Sequence, residues 1–284
     1  MTVSQAPLGL IAGLGELPVE IARAAQASGQ GVYVLRLKGF EEPALADLPG
    51  ETISFGEIGR LFKLFRAAGC RQVCFAGIVR RPDFGALKPD LKGVSLLPKV
   101  LAAARKGDDA LLSLMVETFE AEGFEVIGAD QASGRLLAEA GVLAGSPPSD
   151  SALEDLKKAA FIAAEIGRLD IGQGAIVCDG LVLCVEGQEG TDRMLARCAE
   201  LDPALIGSAD TRKGVLVKRP RPQQERRIDL PTVGVNTLEG AAKAGLAGIG
   251  VEAGGALLLD VEAIKAAAQR FGVFVYGFPK SWSP

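Results

Sequence analysis

A polar, proline-braced segment, LVKRPRPQQERRIDLPTVG, carries the side chains best suited to phosphate chemistry. Between apolar stretches it holds Lys218, Arg221, Gln224, Glu225, Arg227 and Asp229. The cations suit a pyrophosphate, and the nearby carboxylates suit Mg²⁺ or the activation of water. We therefore predict a functional loop with Glu225 and Asp229 as its metal or water-orienting groups. A solvated, charge-rich loop is the alternative.

Histidine is absent from all 284 residues. Ser-His-Asp and Cys-His catalysis, histidine-ligated zinc and histidine-rich two-metal phosphoesterase centres are therefore excluded. Any hydrolysis by this chain has to use carboxylates, lysine, arginine and a hard metal ion.

The stretch EGQEGTDRM supplies a second group of polar residues immediately before a helical pattern. Glu186 and Glu189 accompany Thr191 and Asp192 around two glycines. A helix start offers free N–H groups to a phosphate, so Thr191 and Asp192 are candidate substrate contacts. Their use as ordinary N-caps is the alternative.

The glycine turn GLGELP follows the first apolar run and precedes a helical pattern. Pro18 occupies the third position of a dinucleotide fingerprint, and Arg36 and Lys38 stand where an acid for the ribose is expected. A nicotinamide cofactor is therefore disfavoured, but the turn can still approach a nucleotide or sugar. The candidate contacts are Gly13, Gly15, Glu16 and Leu17; a plain tight turn is the alternative.

Two further places could carry chemistry. Arg80 and Arg81 follow a buried strand at the sheet edge where open α/β sheets bind ligands, and they are either phosphate contacts or solvated charges. Asp108 and Asp109 follow Gly107, so that one aspartate is expected to cap the next helix while the other could reach a metal.

Apolar runs alternate with helical patterns along the chain, which predicts an α/β protein. The order β-α-β-α-β from residue 8 to residue 79 indicates a Rossmann-like parallel sheet. Adjacent prolines in AGSPPSDSALED indicate a linker, so we predict an N-terminal domain at 1–145 and a mixed α/β domain at 146–284. The LVKRPRP segment begins as a strand and is expected to continue as a loop because of its prolines.

The formal net charge of −4 without a long basic run argues against a nucleic-acid partner. There is no signal-peptide pattern and no apolar run of membrane-spanning length, so a cytoplasmic location is expected. The five cysteines lie in apolar stretches and are expected to be buried thiols rather than disulfides or zinc ligands.

At these motifs the chain closely resembles the LpxI family nearly end to end. The resemblance rests on GLIAGLGELPVEIARAA, RKGDDALL, VEGQEGTDRM and above all RPRPQQERRIDLPTVGVNTLEGAAKAGLAGIGVEAGGALLLD. The family pattern Lys-Pro-x-Gln-Asp-x-Arg-x-Asp-x-Pro falls on Arg221, Pro222, Gln224, Glu225, Arg227, Asp229 and Pro231. Arg221 replaces lysine and Glu225 replaces aspartate, whereas Asp229 matches.

The resemblance implies hydrolysis of the pyrophosphate in UDP-2,3-diacylglucosamine to lipid X and UMP during lipid A synthesis, with Mg²⁺. It also implies two domains that hold the lipid product between them, and a homodimer formed largely by the C-terminal half. Attack at the β-phosphorus is the outcome that the family suggests. The substrate's lipid tails predict a peripheral encounter with the inner face of the cytoplasmic membrane.

Two other functions stay open from the sequence. A non-catalytic nucleotide-sugar or lipid-binding protein could use the same scaffold. A nicotinamide-dependent oxidoreductase is a weaker alternative, because the ribose acid is missing and no proton relay is evident.

Overall fold

The computed structural model describes residues 5–80, 82–134 and 136–282. By its internal contacts the chain divides into two compact units, Met1–Arg135 and Leu136–Pro284. This division precedes the predicted boundary near Gly145, because a strand at 141–144 pairs with the second sheet. The prolines at 147 and 148 therefore connect a strand and a helix of the second unit.

The first unit is a parallel sheet covered by helices. Its strands are β1 (Leu8–Ala12), β2 (Val32–Leu37), β3 (Gly50–Ile53), β4 (Gln72–Ala76) and β5 (Glu125–Val126). Its helices are α1 (Glu16–Ala27), α2 (Ile58–Ala67), α3 (Leu91–Ala104), α4 (Asp108–Ala121) and α5 (Ala129–Ser133), with short 3-10 turns at Pro43–Leu45 and Phe84–Ala86.

The sheet order β3-β2-β1-β4-β5 is all parallel, which confirms the Rossmann-like prediction for this unit. β1 lies at the centre, and all five of its residues are buried because helices cover both faces. The sequence prediction missed β3 and α5. The former contains only four residues and pairs with β2, so its local pattern is short.

The second unit contains a mixed sheet. Its strands are β6 (Gly141–Ala144), β7 (Gly174–Cys178), β8 (Leu181–Val185), β9 (Val215–Lys218), β10 (Thr232–Val233), β11 (Gly248–Glu252), β12 (Leu257–Leu258) and β13 (Phe274–Phe278). Its helices are α6 (Asp150–Arg168), α7 (Thr191–Ala199), α8 (Val235–Lys243) and α9 (Val261–Phe271), followed by a 3-10 turn at Lys280–Trp282.

Six of these strands form the order β6-β13-β11-β9-β7-β8, and β10 pairs with β12 separately. β9 runs parallel to β11 and antiparallel to β7, so the sheet is mixed as predicted. Alanine-rich α6 packs on one face against Val215 and Val217, and α7 to α9 bury the other face around Leu216 and Ile249. The central strands thus bring their ends to fixed positions.

All five cysteines are buried, as predicted. Within the described ranges, no helix has the combination of length and apolar character needed to cross a bilayer.

Candidate active site

Lys218 is the charged end of the buried strand β9. The three residues before it are apolar, and all four strand positions are buried because β9 lies between β7 and β11. Its Nζ donates a hydrogen bond to the carbonyl oxygen of Thr232 at 2.8 Å. Burial lowers the pKa of Lys218, and the charges of Glu186, Asp192 and Asp229 oppose that shift. A desolvated cation therefore stands among carboxylates from three segments.

Glu186 follows β8 and is 6% exposed. Its N–H donates to the carbonyl oxygen of Gly174, and its Oε1 accepts from the Thr191 hydroxyl at 3.2 Å. Its Oε2 is buried without a hydrogen-bond partner. Burial raises the pKa of Glu186, and Lys218 is the main opposing influence. This carboxylate is an unsatisfied acceptor beside a buried cation.

Gly174 makes room for that carboxylate. A Cβ at this position would lie 2.5 Å from Glu186 Oε2. A side chain there would displace the acid, so the glycine is a steric requirement of the site.

The loop after β9 is anchored by a buried ion pair. Arg219 donates to Glu252 at 2.7 Å, and both side chains are almost fully buried. The same carboxylate also accepts from Arg226 at 3.1 Å, while Arg219 Nη1 donates to the carbonyl oxygen of Ala160. Because Glu252 ends the neighbouring strand β11, these contacts tie both sides of the loop to the sheet.

Within the loop, Arg221 and Asp229 are brought together from eight residues apart. Arg221 Nη2 donates to Asp229 Oδ2 at 2.9 Å, and its Nη1 lies 3.6 Å from Asp170 Oδ1. The Gln224 side chain closes the turn by accepting from the Arg221 N–H at 2.8 Å. Gln224 Nε2 is buried without a hydrogen-bond partner. The loop therefore has defined turn geometry rather than solvated charges alone.

Glu225 faces Arg227 in a bidentate pair. Its Oε1 accepts from Arg227 Nε and its Oε2 from Arg227 Nη2, each at 2.9 Å. These hydrogen bonds lower the pKa of Glu225. The carboxylate is ionised at neutral pH, but both oxygens are used by a neighbour in its own loop.

Neither Thr191 nor Asp192 is the N-cap of α7. Gly190, with φ 79°, is the N-cap, and Thr191 and Asp192 are the first helical residues. No side chain caps this end of the helix. Its first N–H groups can therefore serve an anion, as the substrate-contact hypothesis requires. In α4 the N-cap is likewise a glycine, Gly107, instead of Asp108 or Asp109.

The glycine turn of the first unit is tightly built. Gly13 has no room for a side chain, because a Cβ would lie 2.6 Å from the carbonyl oxygen of Ile78. Leu14 and Ile78 exchange backbone hydrogen bonds at this point. Gly15 has φ 101°, and its N–H donates to Glu42 Oε2 at 2.9 Å. An acid from the segment after β2 thus already engages the turn.

The remaining candidates of the first unit are accessible. Glu16 and Leu17 open α1, the former exposed and the latter half-buried, and Arg80 is exposed beyond β4. Arg81 lies outside the described residues. Arg36 is buried and donates to the carbonyl oxygens of residues 45, 46 and 48, so it braces a loop instead of meeting a ligand.

The structure thus groups the sequence candidates by unit. In the second unit, Thr191 donates to Glu186, and the charges of Glu186, Asp192 and Asp229 act on Lys218. In the loop, Arg221 contacts Gln224 and Asp229, and Glu225 pairs with Arg227. Glu186 was noticed in the sequence but not assigned a role, and Glu252 was missed. The sequence feature that could have identified both residues is a carboxylate at the end of an apolar strand or directly after it.

The donor set limits how a metal ion could bind. Among the residues that the structure describes, no group of three or more carboxylate or thiol side chains is arranged to hold a metal. Mg²⁺ is commonly bound by one or two carboxylates together with water and substrate phosphates, however. The unpartnered Glu186 Oε2 fits this second mode.

Comparison with known proteins covers both units. The LpxI N-terminal domain model matches residues 7–136, and the LpxI C-terminal domain model matches residues 139–276. The chain is 54% identical over 270 residues to the UDP-2,3-diacylglucosamine pyrophosphatase LpxI of Caulobacter vibrioides, covering 95% of this chain and 96% of that protein. The polar loop, the glycine turn and these matches agree: the chain belongs to the LpxI family.

Proposed function

We propose that this chain hydrolyses the pyrophosphate of UDP-2,3-diacylglucosamine to 2,3-diacylglucosamine 1-phosphate (lipid X) and UMP in lipid A biosynthesis. The observation that carries the proposal is the cluster in which the cations Lys218 and Arg221 lie among the carboxylates Glu186 and Asp229. The named activity of the 54% identical relative supports the same reaction.

The lysine and arginine side chains are proposed to bind the negatively charged pyrophosphate. Arg221 and Arg227 each have a guanidinium that can bridge two phosphate oxygens, and Lys218 adds a desolvated positive charge. Free N–H groups at Thr191 and Asp192 add donors for a phosphate oxygen. The turn at Gly13 and Gly15, with Glu16, Leu17 and Arg80, is proposed to contact the nucleotide or sugar.

A carboxylate is proposed to accept the proton of the attacking water. A phosphate that binds the Arg221 guanidinium weakens its pairing with Asp229, and Asp229 orients a water molecule and receives its proton. The water oxygen bonds to one phosphorus, with the β-phosphorus as our proposal, while the bridging P–O bond breaks. The electron pair of that bond leaves with the other phosphate.

Mg²⁺ is part of the proposal. The residues that would hold it are Asp229 and Glu225, with Glu186 Oε2 as the oxygen that has no protein partner. When bound, the ion would neutralise charge on the pyrophosphate. Engagement of Glu225 requires that its pairing with Arg227 opens.

The direct test is hydrolysis of UDP-2,3-diacylglucosamine with and without Mg²⁺. The comparison includes Glu225→Ala, Glu225→Asp and Asp229→Ala, with Glu262→Ala on exposed α9 as a control. Loss of turnover in the alanine variants, with the control active and Mg²⁺ required, supports the proposal. Substrate binding without turnover under all conditions would favour a non-catalytic nucleotide-sugar or lipid-binding protein.

We also propose a homodimer and a peripheral encounter with the inner face of the cytoplasmic membrane. The supporting arguments are the family resemblance for the dimer and the two acyl chains of the proposed substrate for the membrane. Light scattering of the purified chain tests the dimer.

A further inference from the structure

Helix α3 carries an apolar stripe that faces away from the protein core. Leu91 is 92% exposed, Val94 is 54% exposed and Leu101 is 39% exposed. Pro98, also exposed, lies between the last two. Spacings of three, four and three residues place these four side chains on one helix face. A surface helix normally turns such a stripe inward.

A different face of α3 packs against the protein core. Gly93 and Ala104 are buried and Leu97 and Val100 are half-buried, where α3 packs against α2 and α4. The outward stripe is therefore not needed to hold α3 in the fold. It is a second apolar face whose exposure has a cost unless something covers it.

The chain segment that carries this stripe has a net charge opposite in sign to that of the whole chain. Residues 82–106 contain five basic side chains and two acidic ones, although the chain has a net charge of −4. Both acids are occupied locally: Asp83 accepts from the N–H of Gly85 and Asp90 from the N–H of Gly93. Exposed basic residues of this segment are Lys88, Lys92, Lys99, Arg105 and Lys106, of which Lys92 is already paired with Glu122.

An open groove continues the apolar surface at the C-terminal end of α3. It has a volume of about 330 Å³. Its lining consists of Pro82, Asp83, Phe84, Gly85, Leu101, Ala104 and Arg105. Leu101 thus belongs to both the stripe and the groove, and the two form one surface.

From this combination we infer that the outward face of α3, with the groove at its end, docks the protein on an anionic phospholipid bilayer. Apolar side chains enter the boundary between headgroups and acyl chains, and the lysines and arginines meet anionic headgroups. A symmetric contact with a second copy is disfavoured because it would bring the same basic surface against itself. The inference uses the proposed function only for the reason to visit a membrane, namely a diacylated substrate.

The test is flotation with vesicles that contain no substrate. Vesicles of phosphatidylethanolamine with phosphatidylglycerol are compared with vesicles of phosphatidylcholine alone. We expect binding to the anionic vesicles to fall roughly tenfold for Leu91→Ser/Val94→Ser, because two exposed apolar side chains no longer enter the bilayer. We expect a similar fall for Lys99→Glu/Lys106→Glu, which reverses two charges. Leu169→Ser and Lys243→Glu, at exposed positions of the second unit, should bind like the parent chain.

Hydrolysis of detergent-dispersed UDP-2,3-diacylglucosamine separates this inference from the proposed function. Retained hydrolysis with reduced vesicle binding supports a docking surface. Equal binding by parent and α3 variants, or no vesicle binding at all, overturns it. Loss of hydrolysis in detergent to the same degree as loss of vesicle binding also overturns it, since the stripe would then hold the substrate's own acyl chains. Failure of the parent to hydrolyse the substrate while vesicle binding persists would count against the proposed function alone.

Discussion

Arg221 Nη2 and Asp229 Oδ2 lie 2.9 Å apart, so a guanidinium suited to phosphate and a carboxylate suited to water hold each other in place. The side chain of Arg221 is mostly buried, and that of Asp229 is about one-third exposed. In the proposed reaction, a phosphate that binds the guanidinium weakens this pairing and makes the carboxylate available to water. The pairing thus couples ligand binding to exposure of the proposed base.

Replacement of Asp229 by asparagine should lower kcat about 10²-fold to 10⁴-fold, because the amide keeps the shape but accepts no proton. KM should change less. Asp170→Asn is the matched control, since Asp170 lies 3.6 Å from the same arginine on its other side. Steady-state kinetics of the two variants check this, with circular dichroism to verify folding. Equal losses in both variants would show that Arg221 only needs neighbouring negative charge.

Glu186 should make stability depend on pH in a defined direction. Burial raises its pKa above the usual 4.5. When the pKa of a carboxyl is higher in the folded state than in the unfolded state, the protein is most stable at a pH below the unfolded-state pKa. Stability is then lost as the pH rises through the folded-state pKa. Glu186→Gln removes this dependence. Relative to the parent protein, the free energy of unfolding of the variant should therefore increase as the pH rises from below 4.5 towards neutral. Urea denaturation across this range in the presence of a chelator measures the difference; parallel curves would contradict it.

The buried Arg219–Glu252 pair should matter more to stability than the half-exposed contact of Arg226. Glu252→Gln leaves the guanidinium of Arg219 buried beside a neutral amide, which is expected to cost about 3–5 kcal/mol. Arg226→Ala removes a partner that is 43% exposed and should cost far less. Chemical denaturation of both variants gives the comparison. A larger loss in Arg226→Ala would mean that the loop is anchored mainly from its outer side.

Gly13→Ala should destabilise the first unit by about 1–3 kcal/mol, because the new Cβ would meet the Ile78 carbonyl. Gly31→Ala is the control: its Cβ would meet only Pro7, at an ordinary 3.7 Å. Thermal unfolding of both variants tests the difference. If both are equally stable, the backbone at residues 13 and 78 separates easily and the turn is not rigid.

Most elements could be predicted from the sequence because their patterns are local. The apolar runs at β1, β2 and β9, the alanine-rich periodicity of α6 and the prolines after Lys218 each fit within a short window. β3 and α5 were missed because they contain only four and five residues. β6 was not predicted, and the boundary at 145 placed its residues with the N-terminal domain, since its partner β13 lies far along the chain.

By itself, the sequence determined the α/β class, the exclusion of histidine chemistry, the polar loop and the family. Tertiary structure alone decided which charges meet. Lys218 and Glu252 end strands of one sheet and Glu186 directly follows a third strand of it, so their spacing follows strand order rather than chain order. The pairing of Arg221 with Asp229 and of Glu225 with Arg227 also depends on how the loop turns between them. Because burial and long-range pairing set the energy of a charge, no local window could show that Glu186 is desolvated or that α3 has two apolar faces.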